Sequence, residues 1–273
     1  MRPGITDETL ISARIRRINA DEAKELCGIA EAGLLLPYQN IDGSPILDGW
    51  KSYCRLRLEN PKDGKKYHQA SGTSVHAYLP PGIDQLQQGG DLSIIEGEFK
   101  SLALTEAGYA AIGISGFFGF SAKGGEQLVP ELLAVIQKLK PNRILFCGDT
   151  DTSLNHQFSI AATRLAKLVY PTRVLLPRIP MDAGGKGVDD CRANKGADFK
   201  DWWQARVACA HEVKPTDEPP CLAMELFERE QSAITNLSGW AREDAVRRAV
   251  KLAASFNSHR YGRKRCSIYL SKN

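Results

Sequence analysis

The sequence predicts an α/β protein whose larger part is a parallel sheet with helices on both faces. Three observations lead there. Between about residues 90 and 200, short apolar runs (LSII, AAIGIS, RILFC, RVLLPRI) alternate with stretches of helical spacing (FKSLALTEAG, LVPELLAVIQKLK, QFSIAATRLAKLV and roughly ADFKDWWQARVACA). The strand runs are continuously apolar, as strands buried on both faces of a parallel sheet must be. Acidic residues then follow three of these runs, at the strand ends where open parallel sheets gather their ligands.

The chain before this region reads as α+β. ADEAKELCGIAEAG has helical spacing and is expected to end at Gly33. LLLPYQNIDGSPI reads as strand, turn and strand, with Asp42-Gly43 as the turn. In SYCRLRLENP, residues Tyr53, Arg55 and Arg57 alternate onto one face of a strand. After the alternating region, HEVKPTDEPP (211–220) reads as a linker, and helical patterns follow it. The expected organisation is an N-terminal segment over 1–89, an α/β domain over 90–210 and a helical region over 221–273.

Composition narrows the class. Of 273 residues, 42% are hydrophobic and 25% charged, the balance of a globular protein able to bury a core. The net charge of +4 is compatible with a polyanion partner without arguing for one. Seven cysteines include no CxxC pair, which argues against a zinc ribbon and for reduced thiols. The N-terminus lacks the apolar core of a signal peptide, and no apolar run reaches the roughly 18 residues that cross a bilayer. A soluble, cytoplasmic protein is expected, with no membrane partner.

The acidic strand ends carry the chemistry. LSII runs into Glu96-Gly97-Glu98, RILFCG into Asp149-Thr150-Asp151, and RVLLPRIP leads to Lys186-Gly187-Val188-Asp189-Asp190. Side chains two apart in extended chain point the same way, so Asp149 and Asp151 can converge on one ion. Gly97 permits a tight strand-to-helix turn. Crowded carboxylates call for a cation between them, and hard oxygen donors suit Mg²⁺ or Mn²⁺. Such a site performs phosphoryl or nucleotidyl transfer. GGKG lacks the spacing and the following Ser or Thr of a P-loop, which argues against an ATPase.

Taken in order, IIEGEFKSLAL, ILFCGDTDTSLN and GGKGVDD resemble the Toprim fold of bacterial-type primases, topoisomerases and certain nucleases. The spacing is most similar to Toprim-like domains of phage, plasmid and mobile-element replication proteins, and the resemblance covers about residues 35 to 200. It implies a Toprim parallel sheet with Glu96, Asp149 and Asp151 as metal ligands and catalytic groups. It implies a catalytic role for Lys186 as well. Gly97, Lys100, Lys186, Asp189 and Asp190 would then lie at the nucleotide phosphates, and Asn155 matches the family's downstream Asn. Lys100-Ser101 and Thr152-Ser153 depart from the family's usual residues.

Other features bear on partners. Arg55, Arg57, Lys65, Lys66 and Tyr67 combine cations with an aromatic ring, a composition suited to single-stranded nucleic acid. SGFFGFSAKGGEQ (115–127) reads either as a loop beside the site or as one packing Phe117 and Phe118 inward. His68 and His76 are expected at the surface, and Trp202, Trp203 and Trp240 in cores. The function expected is two-metal, Mg²⁺-dependent primer synthesis on single-stranded DNA from nucleoside triphosphates, by a primase-like nucleotidyltransferase of a mobile genetic element partnered by a replicative helicase. A metal-dependent nuclease and a non-catalytic accessory module are the alternatives. The chain is too short for a topoisomerase.

Overall fold

A computed structural model describes residues 4–62, 64–150, 152, 156–180 and 183–215. Its centre is a five-stranded sheet of β7 (Asp91–Glu96), β8 (Ala110–Ile114), β9 (Arg143–Cys147), β10 (Arg173–Leu176) and β11 (His211–Val213). The spatial order is β11-β10-β9-β7-β8, and every pairing is parallel except β10 with β11. The four apolar runs of the sequence are the four parallel strands. HEV (211–213), expected as the start of a linker, instead pairs antiparallel with β10. Three residues are too few to show period-two patterning, so only a partner strand reveals them.

Helices cover both faces of the sheet. On one side α4 (Pro130–Leu139) and α5 (His156–Val169) pack Leu132, Val135, Leu165 and Ala166 against Leu92, Ile94, Ile144 and Phe146. On the other, α3 (Glu98–Glu106), α6 (Val188–Lys195) and α7 (Phe199–Ala208) set Leu104, Val188, Cys191 and Trp203 against Ile95, Leu145 and Leu175. Trp203 is buried and Trp202 is partly so. Trp240 and the whole expected region 221–273 lie outside the described residues.

The N-terminal segment holds α1 (Asp7–Ser12), α2 (Ala20–Cys27) and a four-stranded antiparallel sheet. The sheet runs β1-β2-β5-β6, from β1 (Arg16–Ile18), β2 (Gly33–Pro37), β5 (Cys54–Lys62) and β6 (Lys65–Gln69). A small hairpin of β3 (Leu47–Asp48) and β4 (Lys51–Ser52) lies beside it. Helix α2 ends earlier than its pattern foretold: Gly28 caps it by donating to the Lys24 carbonyl, and Gly33 opens β2. Asp42 and Gly43 do form the turn, closed by Asn40 and Ser44.

Helix α3 joins the two sheets. Its Phe99, Leu102 and Ala103 pack with Leu36, Tyr38 and Tyr53, while Leu104 and Ala107 face the parallel sheet. A helix apolar on both sides is a buried helix. The N-terminal segment also touches the parallel sheet's edge, where Tyr78 and Gly113 exchange backbone hydrogen bonds of 2.7 and 2.9 Å.

Cys27, Cys54, Cys147, Cys191 and Cys209 are all unbridged. Among the described residues no helix is long and apolar enough to cross a membrane.

Candidate functional site

The chain leaves β7 through α3 toward β8, and leaves β9 through α5 toward β10 on the opposite side. Because α3 and α5 cover opposite faces, the carboxyl ends of β7 and β9 flank the sheet's topological switch point, where a crevice is unavoidable. Glu96 ends β7, and Asp149 follows β9 by two residues. Both line one cavity of about 720 Å³, together with Arg55, Arg57, Lys66, Tyr67, Gly97, Glu98, Lys100, Lys186 and Asp190.

Local chemistry shapes each wall. Gly97, at φ +110, makes the turn from β7 into α3, and its N–H donates to the Ile114 carbonyl at 2.9 Å. The turn after β9 folds back through Thr152, whose N–H and hydroxyl both donate to the Asp149 carbonyl at 3.0 and 2.6 Å. Thr150 donates to the Lys186 carbonyl at 3.0 Å, which ties this turn to the third acidic loop.

Asp149 is held by two lysines. Lys100 Nζ is in direct contact with Asp149 Oδ1, and Lys186 Nζ stands 3.7 Å from Oδ2. Gly187 lies against this group for a steric reason. A Cβ there would fall 2.6 Å from Asp189 Oδ1, 2.7 Å from Lys100 Cε and 3.3 Å from Asp149 Oδ1.

The sequence-predicted residues thus divide. Arg55, Arg57, Lys66, Tyr67, Glu96, Gly97, Lys100, Asp149, Lys186 and Asp190 come together on the cavity. Lys65 is exposed and does not line it. Asp189 is fully buried beneath Gly187. Asp190 faces its own loop: its Oδ2 accepts from the Lys186 and Gly187 N–H groups at 3.1 and 3.2 Å, so it caps α6. Asp151 and Asn155 lie outside the described residues. Among the described residues, no group of three or more His, Cys, Asp or Glu side chains is arranged to hold a metal ion.

The structure adds Glu98 and Tyr38, which sequence reasoning missed. Glu98 is 1% exposed, and its Oε1 accepts from the Tyr38 hydroxyl at 2.8 Å and from Arg55 Nη1 at 2.5 Å. Burial beside Glu98 pushes the Tyr38 hydroxyl well above its ordinary range, so it stays a donor. Burial works against the Arg55 charge, but Glu98 outweighs it and holds Arg55 above its usual value. Arg55 also sits over the Tyr67 ring and Arg57 over the Phe99 ring, at 4.9 and 5.2 Å. The available signal was the second glutamate of EGE, a charge at the head of an otherwise apolar helix.

The glycine-rich loop combines both of its expected readings. Ser115, Gly116 and Phe117 line the cavity, while Phe117 packs edge-on against Phe158 and Arg164 covers Phe118. His76 corrects another expectation. It is not at the surface but 12% exposed, with Nδ1 2.8 Å from Glu131 and Nε2 3.6 Å from Asp48. His68 is partly buried, its Nε2 3.0 Å from the Cys27 carbonyl.

A family profile described as a domain of unknown function (DUF3854) matches residues 87–199, the parallel-sheet region through α6. No curated protein matches the chain. Among solved structures, the primase fragment of the bacteriophage T7 primase-helicase protein is 17% identical, covering 74% of this chain and 72% of that one, at a TM-score of 0.47. The zinc-binding and RNA polymerase domains of the Aquifex aeolicus primase are 13% identical, covering 99% of this chain and 68% of that one, at a TM-score of 0.55. At that identity the likeness is one of fold, and the chain shares the fold of those Aquifex aeolicus primase domains.

Proposed function

We propose that the protein is a primase-like nucleotidyltransferase of a mobile genetic element that builds primers on single-stranded DNA. The observation that carries this is a single cavity at the switch point. In it two carboxylates from adjacent strand ends, Glu96 and Asp149, face five cations: Arg55, Arg57, Lys66, Lys100 and Lys186. Carboxylates suit a divalent ion, and the cations suit phosphates of a template and a triphosphate. The fold shared with the Aquifex aeolicus primase domains supports the same reading. We assign residues 90–210 to a Toprim-type catalytic domain, 1–89 to a nucleic-acid-binding module and 221–273 to a helical region. A replicative helicase is the proposed partner, and the cytoplasm the proposed location.

The residues fit a Mg²⁺ or Mn²⁺ ion. Glu96 and Asp149 offer hard oxygens on one crevice, and Mg²⁺ is commonly held by one or two carboxylates beside substrate phosphates. Asp151 would complete the set, although it lies outside the described residues. When bound, such an ion neutralises phosphate charge and makes an attacking hydroxyl more acidic.

The chain's own groups supply the rest. Arg55, kept charged and aimed by Glu98 and Tyr38, grips a phosphate at one end of the cavity. Arg57, Lys66 and Tyr67 hold the template strand through phosphates and stacking. Lys100 and Lys186 offset charge developing on the attacked α-phosphate and on the pyrophosphate that leaves as the hydroxyl bonds to that α-phosphate. Gly97 and the Gly116 turn let the backbone approach the nucleotide closely.

The test is to incubate the full chain with single-stranded DNA, labelled NTPs or dNTPs, and Mg²⁺ or Mn²⁺. Template-dependent oligomers that vanish in Asp149→Ala and Glu96→Gln support the proposal. Shortened DNA without oligomers overturns it in favour of a nuclease, and DNA binding without either product in favour of an accessory module.

A further inference from the structure

We propose that Lys100 is a built-in counter-cation that occupies the place of a divalent ion at Asp149, so that ion binding and the Lys100–Asp149 contact exclude each other. This rests on the metal reading of the same site, and goes beyond it by assigning the protein a lysine gate on ion entry.

The position of Lys100 is locally unfavourable. It is the third residue of α3, in a first turn where the helix dipole favours carboxylates and opposes ammonium groups. A cation there needs a partner, and Asp149 is that partner in direct contact. Local conflict of this kind marks functional positions. The berth is also built. The lysine stem passes between two glycines: a Cβ at Gly97 would lie 3.8 Å from its Cδ, and one at Gly187 only 2.7 Å from its Cε. A larger residue at 187 closes the path by which Lys100 reaches the carboxylate.

The two lysines on Asp149 differ in freedom. The Lys186 side chain is 65% exposed and can swing away into solvent, whereas that of Lys100 is 13% exposed and enclosed by backbone. A divalent ion arriving at Oδ1 meets the Lys100 ammonium at contact distance, and like charges in a partly buried site repel strongly. Lys100 must therefore leave before the ion enters. Two other carboxylates on the cavity are already engaged, Glu98 by Arg55 and Asp190 by the Lys186 and Gly187 N–H groups. An incoming polyphosphate is the natural new partner, which couples ion entry to nucleotide arrival.

The experiment measures Mn²⁺ binding to the full chain from the electron paramagnetic resonance signal of the free ion. It compares wild type with Lys100→Met, Lys100→Gln and Lys100→Arg, without and with inorganic tripolyphosphate. Each variant is checked for fold by circular dichroism. Lys100→Met and Lys100→Gln are expected to bind Mn²⁺ at least tenfold more tightly than wild type. Lys100→Arg keeps the charge and is expected to stay weak. With protein-free mixtures of Mn²⁺ and tripolyphosphate as the reference, since tripolyphosphate itself binds the ion, its addition should narrow the gap between wild type and Lys100→Met. If one neutral variant fails to fold, the other supplies the same comparison. Equal Mn²⁺ affinity in wild type and the folded neutral variants overturns the gate and leaves the metal reading intact. Absence of Mn²⁺ binding in every folded protein overturns the metal reading, and the gate with it.

Discussion

Arg55 Nη1 lies 2.5 Å from Glu98 Oε1, in a pair whose side chains are only 13% and 1% exposed. Arg55 comes from the antiparallel sheet and Glu98 from the head of α3, so this contact joins the basic face of the N-terminal segment to the acidic end of β7. Removing one member of a buried pair leaves the other charged and uncompensated, at a cost of about 3 kcal/mol or more. Glu98→Gln is therefore expected to lower stability by about that amount in urea unfolding, and to weaken single-stranded DNA binding by releasing Arg55. Tyr38→Phe removes one hydrogen bond to a charged acceptor and should cost about 2 kcal/mol. A Glu98→Gln protein as stable as wild type would rule out this structural role.

Arg57 and Lys66 line the cavity. If each contacts a phosphate, Arg57→Ala and Lys66→Ala should each reduce the salt dependence of single-stranded DNA binding. The expected fall in the log–log slope is about 0.7 per lost contact. Fluorescence anisotropy titrations across a salt series measure this. Lys65→Ala, on a residue outside the cavity, is expected to change the slope less.

His76 predicts a pH dependence of stability. Burial opposes its charged form, but Glu131 and Asp48 outweigh that and raise it above its ordinary value of 6.5. A folded value above the unfolded one means the contribution is complete below about pH 6.5 and fades as pH rises through the folded value. The melting temperature of wild type should thus exceed that of His76→Gln most clearly near pH 6, with the difference shrinking on the alkaline side. A constant difference from pH 6 to 9 would contradict the ion-pair account.

Gly187→Ala should be costly for a steric reason. Its Cβ would press on Asp189 Oδ1 and Lys100 Cε, both under 3 Å away. Overpacking of this kind costs about 1–3 kcal/mol. Chemical denaturation would read the loss of stability, and the same variant should shift Mn²⁺ affinity by dislodging Lys100 from Asp149.

The candidate site was legible where a residue's position follows directly from strand order. Glu96, Asp149 and the Lys186–Asp190 loop could be found because a continuous apolar run followed by an acid marks a parallel strand end whatever the rest of the chain does. Glu98 was not legible as a partner of Arg55, since 43 residues separate them and only the packing of α3 against the antiparallel sheet brings them together. The His76–Glu131 contact was hidden likewise, by a separation of 55 residues. Asp189 and Asp190 looked equivalent in sequence. They differ because the first turn of α6 sends one beneath Gly187 and the other back to cap the helix.

The sequence by itself determined the alternation of parallel strands and helices and the acids at the strand ends, because hydrophobic periodicity and strand-end position are local properties. Only the tertiary structure decided which charges meet. It set Lys100 against Asp149 and Arg55 against Glu98, through the close approach allowed at Gly187 and the burial of α3 between two sheets. Those pairings depend on distances across the fold, which local patterns do not encode.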